Sequence, residues 1–428
     1  MIKKISWILS LLICATLVLG ACTPAAPATN APAAAPTTAP ASAGQVTISY
    51  AIWDNNQLPA HQQIIAAFEA KNPNIKVTVE VVPWEAYWNK LQTAVAGGEA
   101  YDTFWMNGPN FPVYAAKGVL MDLQDRVAKD NVDMSKYSQS LVKLYSYNEH
   151  VYGLPKDFDT IGLYYNKDLF DKAGVAYPTA DWTWDDLAAA AKKLSDPAKG
   201  VWGLAVPGDQ TGYWNFVYQN GGEILAPDGN SVKVDQPAAC EAITFLYNTM
   251  KAGSMPDAAT TTSMDPETQL FPGGKIAMIT SGSWSAKTFK AAGFKLGVAP
   301  LPKKVKQASI IHGLANVVWS GTKHPEEAWA FVKFLGSEEA ANILAESGTV
   351  IPAYQGMQDK WLKSMPDLDL KVFIDALSYS VPYPNTPKGT EWNDKMIAAK
   401  DDIWLGNTPI DQGCKAMATA ANTVLSQP

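Results

Sequence analysis

Arginine is almost absent from this chain. Arg126 is the only one, in a protein of 428 residues with 34 lysines and arginines together. Arginine is the usual bidentate clamp for phosphate and carboxylate. Its scarcity argues against a phosphate or an amino-acid carboxylate as ligand, although lysines and helix N-termini can still hold an anion. Asp122 and Asp125 lie near Arg126 in sequence and are its natural surface partners. Histidine is also scarce. His61, His150, His312 and His324 are far apart and form no His-Glu-x-x-His, so the simplest zinc-hydrolase motif is missing and no metal site is expected. No Cys-x-x-Cys occurs, and no Gly-x-Ser-x-Gly. The nearest approach, Thr280-Ser-Gly-Ser-Trp284, lacks the flanking glycines of a nucleophile elbow. Past the N-terminal run, no apolar stretch reaches the roughly 20 residues of a membrane span. The formal net charge of −7 keeps a surface soluble and disfavours nucleic acid as a partner.

What is present begins at the N-terminus. Lys3 and Lys4 precede an apolar run from Ile5 to Leu19, which ends in Leu19-Gly20-Ala21-Cys22. A positive region, a short apolar core and small residues make 1–21 an export leader. The last four residues resemble the bacterial lipobox, which implies cleavage before Cys22 and diacylglycerol on its sulfur. Residues 22–44 are almost all Ala, Pro, Thr and Ser, without charge. Such a segment cannot bury enough surface to fold and serves as a semi-rigid tether. A lipid, a tether and a globular body would hold a monomer at the outer face of the cytoplasmic membrane or in the periplasm. One acyl chain anchors weakly, and two or three anchor well. Cys14 leaves with the leader. Cys240 and Cys414 remain in a compartment that permits a disulfide; they either pair or stay as two buried thiols.

The body, 45–428, is long enough for two domains. It opens with an alternating strand from Gln45 to Trp53 and a helix from Pro59 to Lys71. Then come a strand from Ile75 to Val82, a helix from Trp84 to Ala96 and a strand from Thr103 to Met106. This rhythm predicts an α/β fold with a parallel sheet, whose ligands bind beyond the carboxyl ends of the strands. Trp53 and Trp105 sit at such ends. Further on, Thr160 to Tyr165 reads as a strand. Thr183-Trp-Asp-Asp186 resembles a capping box that opens a helix to Leu194. Strands are expected over Val201 to Val206, Lys275 to Thr280 and Asn316 to Ser320. A helix is expected from Ala238 to Met250, with two more after His324 and Ser337.

Several segments together resemble the family 1 extracellular solute-binding proteins, the maltose-binding-protein-like group that serves ABC sugar importers. They include Phe68-Glu-Ala-Lys-Asn-Pro-Asn-Ile-Lys-Val77, Tyr101-Asp-Thr-Phe-Trp105, Gly153-Leu-Pro155 and Tyr164-Tyr-Asn-Lys-Asp-Leu-Phe170. Asn220-Gly-Gly-Glu223, Gly282-Ser-Trp284 and Ala328-Trp-Ala-Phe-Val-Lys-Phe-Leu335 follow in order. The likeness runs from Val46 to the C-terminus. It implies a two-lobed periplasmic-binding-protein-like (type II) fold, each lobe a mixed sheet flanked by helices, with hinge strands between. Closure of the lobes on a ligand is then read by the transmembrane permease. Mapped here, the hinges lie near Pro155 to Thr160, Ile310 to Gly313 and Val350 to Tyr354. One lobe comprises 45–157 and 312–352, the other 158–311 and 353–428.

The chain holds 15 tryptophans, and flat aromatics stack on the apolar faces of sugar rings. By local motif the family's stacking positions fall on Trp105, Trp284 and Trp392, with Tyr213 or Trp214 nearby. Asp159 falls where the family places a hinge acid, with Asp157 as its close competitor. A carboxylate accepts from several hydroxyls, and such charge-assisted bonds are strong. Asn55, Gln57, Asn107 and Asn110 follow Trp53 and Trp105 in loops, and amides both donate and accept; loop asparagines are also ordinary turn formers. His312 and Gly313 lie at a hinge. The expected ligand is a neutral mono- or oligosaccharide, with no cofactor. A polyamine or glycerol phosphate is the alternative on the same fold. A glycoside hydrolase would need two carboxylates flanking one bond, and no motif marks such a pair.

Overall fold

A computed structural model describes residues 44–427. The leader 1–21, Cys22 and the tether up to its last residue lie outside the described residues. The first strands form as their patterns require. β1 (Val46–Ile52) buries Ile48, Tyr50 and Ile52 on one face and Ala51 on the other. The helix Leu58–Lys71 buries Ile64, Ile65 and Phe68. β2 (Ile75–Val81) follows, then the helix Trp84–Gly97, which stops at Gly98 in the left-handed conformation, φ 71°. Glycine adopts that conformation without a Cβ penalty. β3 (Thr103–Asn107) comes next. β1 pairs in parallel with β2 on one side and β3 on the other.

β3 is covered on both faces, and all five of its residues are buried. Alternation along the strand sends Phe104 and Met106 toward Tyr87, Leu91 and Phe111. It sends Trp105 to the opposite core, with Ile64, Phe68, Phe331 and Leu335.

A hairpin, β4 (Ser146–Tyr147) and β5 (His150–Val151), leads into β6 (Gly153–Asn166), which is fourteen residues long and buried throughout. β7 (Trp202–Ala205), β8 (Ile276–Gly282), β9 (Leu296–Ala299) and β10 (Ser309–Val318) follow, then the short β11 (Ile351–Pro352) and β12 (Ser380–Pro382). The main sheet runs β2-β1-β3-β10-β6-β8-β7, with β9, β11 and β12 attached at β6, β6 and β10. β6 is the hub. Its first half pairs antiparallel with β10, and its second half pairs with β8 and β9. The molecule is therefore a two-lobed α/β fold, a mixed sheet in each lobe, joined where β6 and β10 cross.

Two differences from the sequence expectation have physical causes. The strand expected only from Thr160 begins at Gly153, although Pro155 lacks the N–H that a central strand needs. The register slips between Leu314, opposite Asp157, and Ala315, opposite Pro155. Lys156 is thus the extra residue of a β-bulge, the device that admits such a proline and re-aims a side chain. β10 begins at Ser309 rather than at Asn316. Gly313 lies inside this strand and packs closely: a Cβ would lie 2.6 Å from Leu141 Cδ2 and 2.8 Å from the Asp157 carbonyl oxygen.

The capping box at Thr183 and Asp186 is present. Two long C-terminal helices, Glu391–Trp404 and Ile410–Leu425, pack on each other. Cys414 on the second is disulfide-bonded to Cys240 on the helix Pro237–Lys251, so the cysteines are paired. Among the described residues no helix is long and apolar enough to cross a membrane.

Candidate ligand site at the strand crossing

The site is built where the hinge strands meet the carboxyl ends of β1 and β3. His312 on β10 lies directly opposite Asp159 on β6. The His312 Nδ1 is 3.5 Å from Asp159 Oδ2, and its Nε2 accepts the Gly108 N–H at 3.3 Å. Acceptance at Nε2 places the proton of the neutral ring on Nδ1, facing the carboxylate. Gln210, from the turn Asp209–Tyr213, donates to the other Asp159 oxygen at 2.9 Å. Asp159 is 9% exposed and His312 is 7% exposed. A carboxylate held by an amide and an imidazole at a lobe crossing can accept further hydroxyl donors.

Asp157 behaves differently. Its Oδ2 meets the Lys156 ammonium at 2.5 Å, and its Oδ1 accepts the Leu314 N–H at 3.1 Å. Lys156 also donates to Gln57 at 2.7 Å and lies 4.2 Å from the centre of the Trp105 ring. Burial pushes the Asp157 carboxyl up, and the Lys156 charge pulls against that shift. The pair is tied into the hinge and is not open to a ligand. His61 belongs to the same interior: burial first, and the Lys156 charge second, hold its pKa well below the usual value.

The expected aromatic platforms divide into two groups. Trp53 and Trp284 are half-buried and keep open surface. The Trp284 ring folds back over the chain so closely that a Cβ on Gly282 would fall 2.0 Å from it. Trp105, Trp214 and Trp392 form the second group: at 0%, 0% and 2% exposure none presents a free face here. Trp105 is pinned by a hydrogen bond from its indole N–H to the Tyr50 hydroxyl at 2.6 Å, with Trp53 and His61 edge-on. Trp214 and Trp392 stack on each other, 6.1 Å apart and 11° from parallel, with Tyr383 against Trp214. Tyr383 in turn meets the His312 ring at 5.5 Å.

The expected amides are similarly mixed. Asn107 is buried and accepts from the Asn110 backbone and side chain, which makes it a turn former. Asn55 is exposed, beside Trp53. Gly313 accepts from the Tyr145 hydroxyl and packs at the crossing. Sequence reasoning missed Gln210, Lys156 and Tyr383. Nothing local marks them, since the bulge and the return of Tyr383 to the hinge arise only from pairing.

A cavity of about 10 Å³ lies between Pro109 and the segment from Tyr383 to Asn393. That is room for about one water molecule. A broader depression of about 590 Å³ runs along the flank of the helix Trp84–Gly97 and is lined by that one helix.

Residues 54–342 match the model of the family described as "Bacterial extracellular solute-binding protein". The chain belongs to that family. An ABC substrate-binding protein from Listeria monocytogenes, solved in complex with cycloalternan, superposes with a TM-score of 0.85 at 31% identity, covering 90% of this chain and 100% of that one. The maltotriose-binding protein of Pyrococcus abyssi is 25% identical, over 82% of this chain and 76% of its own length. The galactooligosaccharide-binding protein of Bacillus subtilis is 26% identical, over 86% and 84%.

Proposed function

We propose that this protein is the extracytoplasmic receptor of an ABC importer, holding a neutral saccharide between two closing lobes and presenting it to the transmembrane permease. The observation that carries this reading is the Asp159–His312–Gln210 group, in which a carboxylate on the crossing strands is reached by an amide from the second lobe. Half-open indoles at Trp53 and Trp284 suit sugar faces, and hydroxyl donors suit Asp159. The relatives named for saccharides support the same ligand class.

The lobes are 45–157 with 312–352, and 158–311 with 353–428. The three crossings that support this division are β6, β10 and β11, where Ile351 and Pro352 pair with Phe158 and Asp157. The protein works as a monomer held to the membrane through diacylglycerol on Cys22, and it binds without catalysing. Asp157 is neutralised by Lys156, which leaves one carboxylate at the crossing. That arrangement suits a neutral ligand better than a polyamine or a two-carboxylate hydrolysis.

The test is a thermal-unfolding screen of the purified chain over mono- and oligosaccharides, polyamines and glycerol phosphates. A saccharide present at a hundred times its Kd should stabilise the folded form by about 2.7 kcal/mol, without turnover. A response confined to polyamines or to glycerol phosphate would overturn the reading.

A further inference from the structure

Among the described residues Trp84 is the only exposed tryptophan, with 47% of its surface open. Its place in the fold gives that exposure meaning. β1, β2 and β3 are parallel, so their carboxyl ends line one edge of the sheet. Trp53 directly follows β1, Asn107 ends β3, and Trp84 follows β2 after Val82 and Pro83. Val82 is still bonded to the end of β1, its N–H meeting the Ile52 carbonyl at 2.8 Å. β10 runs the other way, with Leu314 opposite Asn107, so His312 emerges at the same edge. The strand order then sets a row of side chains: Trp84, Trp53, Asn107, His312 and Asp159.

Adjacent strands lie about 4.8 Å apart, so the row extends about 19 Å from β6 to β2. That is much wider than a single pyranose ring. The aromatic side chains at its outer end touch one another. The Trp84 ring centre is 5.4 Å from that of Trp53, which is 4.9 Å from that of Trp105. Trp88 backs both Trp84 and Trp53, at 6.0 Å and 5.9 Å. Asn55, two residues after Trp53, is exposed. An indole left half in water forgoes burial that would favour folding, and here it sits in line with the hinge acid.

We infer that Trp84 is the outermost stacking platform of an extended binding edge, and that the ligand is an oligosaccharide of at least three linked rings lying along the carboxyl ends of β6, β10, β3, β1 and β2. This rests on the saccharide reading above and deepens it. Trp84 acts on the distal ring only, so it selects for chain length.

The test is titration calorimetry with glucose, maltose, maltotriose and maltopentaose, and with galactose and galacto-oligosaccharides of matching length. Wild type, Trp84→Ala and Trp84→Phe are compared. In the series that binds, the wild type should tighten with each added ring up to three or more. Trp84→Ala should weaken the longest ligand about tenfold, the order of one aromatic contact, and leave the shortest binder within about twofold. Trp84→Phe should recover most of the loss, because it restores an aromatic face. Equal affinities of wild type and Trp84→Ala at every length would overturn the inference. So would an equal loss at every length, which would place the effect in the fold. A wild type that binds none of these sugars would instead overturn the saccharide reading on which the inference stands.

Discussion

Two tryptophans assigned the same task from sequence have different fates in the structure. Trp105 is packed among Tyr50, His61, Trp53 and Lys156, whereas Trp284 stays half-open on its turn after β8. Truncating a buried aromatic to alanine costs about 3–5 kcal/mol. Trp105→Ala should therefore lower Tm sharply. Trp284→Ala should leave Tm nearly unchanged and weaken saccharide binding at least about tenfold, a loss of roughly 1.4 kcal/mol. Thermal unfolding and titration calorimetry on the two variants separate these outcomes. A second residue-scale effect concerns Glu267, whose carboxyl accepts from the Ser281 hydroxyl at 2.6 Å. Burial pushes its pKa up from 4.5 to about 7; the Ser281 hydrogen bond opposes this and the Asp265 charge adds to it. A carboxyl whose folded pKa is raised contributes stability that is complete below its unfolded pKa and is lost as pH rises through the folded one. Wild type should thus lose ground to Glu267→Gln as pH climbs from about 4.5 to about 7. Parallel pH profiles of Tm for the two proteins would contradict this.

At the scale of elements, the C-terminal helices hold up an aromatic stack that reaches His312 through Tyr383. Glu391–Trp404 bears Trp392, which stacks on Trp214. Its partner Ile410–Leu425 is tied to the helix Pro237–Lys251 by Cys240–Cys414, across 174 residues of sequence. Closing a loop of that length restricts the unfolded chain strongly, and loss of such a bond costs about 2–5 kcal/mol. The Cys240→Ser/Cys414→Ser double variant should unfold at a lower temperature. Wild type in reductant should follow it, and the double variant should not respond to reductant. These two C-terminal helices were not legible in the sequence, whereas the helix Trp184–Leu194 was. The difference lies in local signals: Thr183 and Asp186 form a reciprocal cap that marks a start, while Thr390 and Pro409 make no side-chain cap. The long β6 was legible only in its second half, because a bulge at Lys156 hides the strand behind a proline.

For the whole molecule, the sequence by itself determined the class of fold and the order of the first strands and helices. These depend on periodicity, turn residues and caps, which act over a few neighbours. Pro155 to Thr160, Ile310 to Gly313 and Val350 to Tyr354 were read as hinges, and the structure brings them side by side as β6, β10 and β11. Tertiary structure alone decided which of two acids is paired with a lysine. Asp157 and Asp159 lie on the same strand, but the bulge directs Lys156 to Asp157 and leaves Asp159 to His312 and Gln210. It also decided which tryptophans are core and which are open, since the exposure of an indole depends on elements distant in sequence. Trp105 is closed in by the covered faces of β3, and Trp84 stands open because β2 is the edge strand of the sheet. Local chemistry specifies elements, and only their packing specifies which side chains meet a ligand.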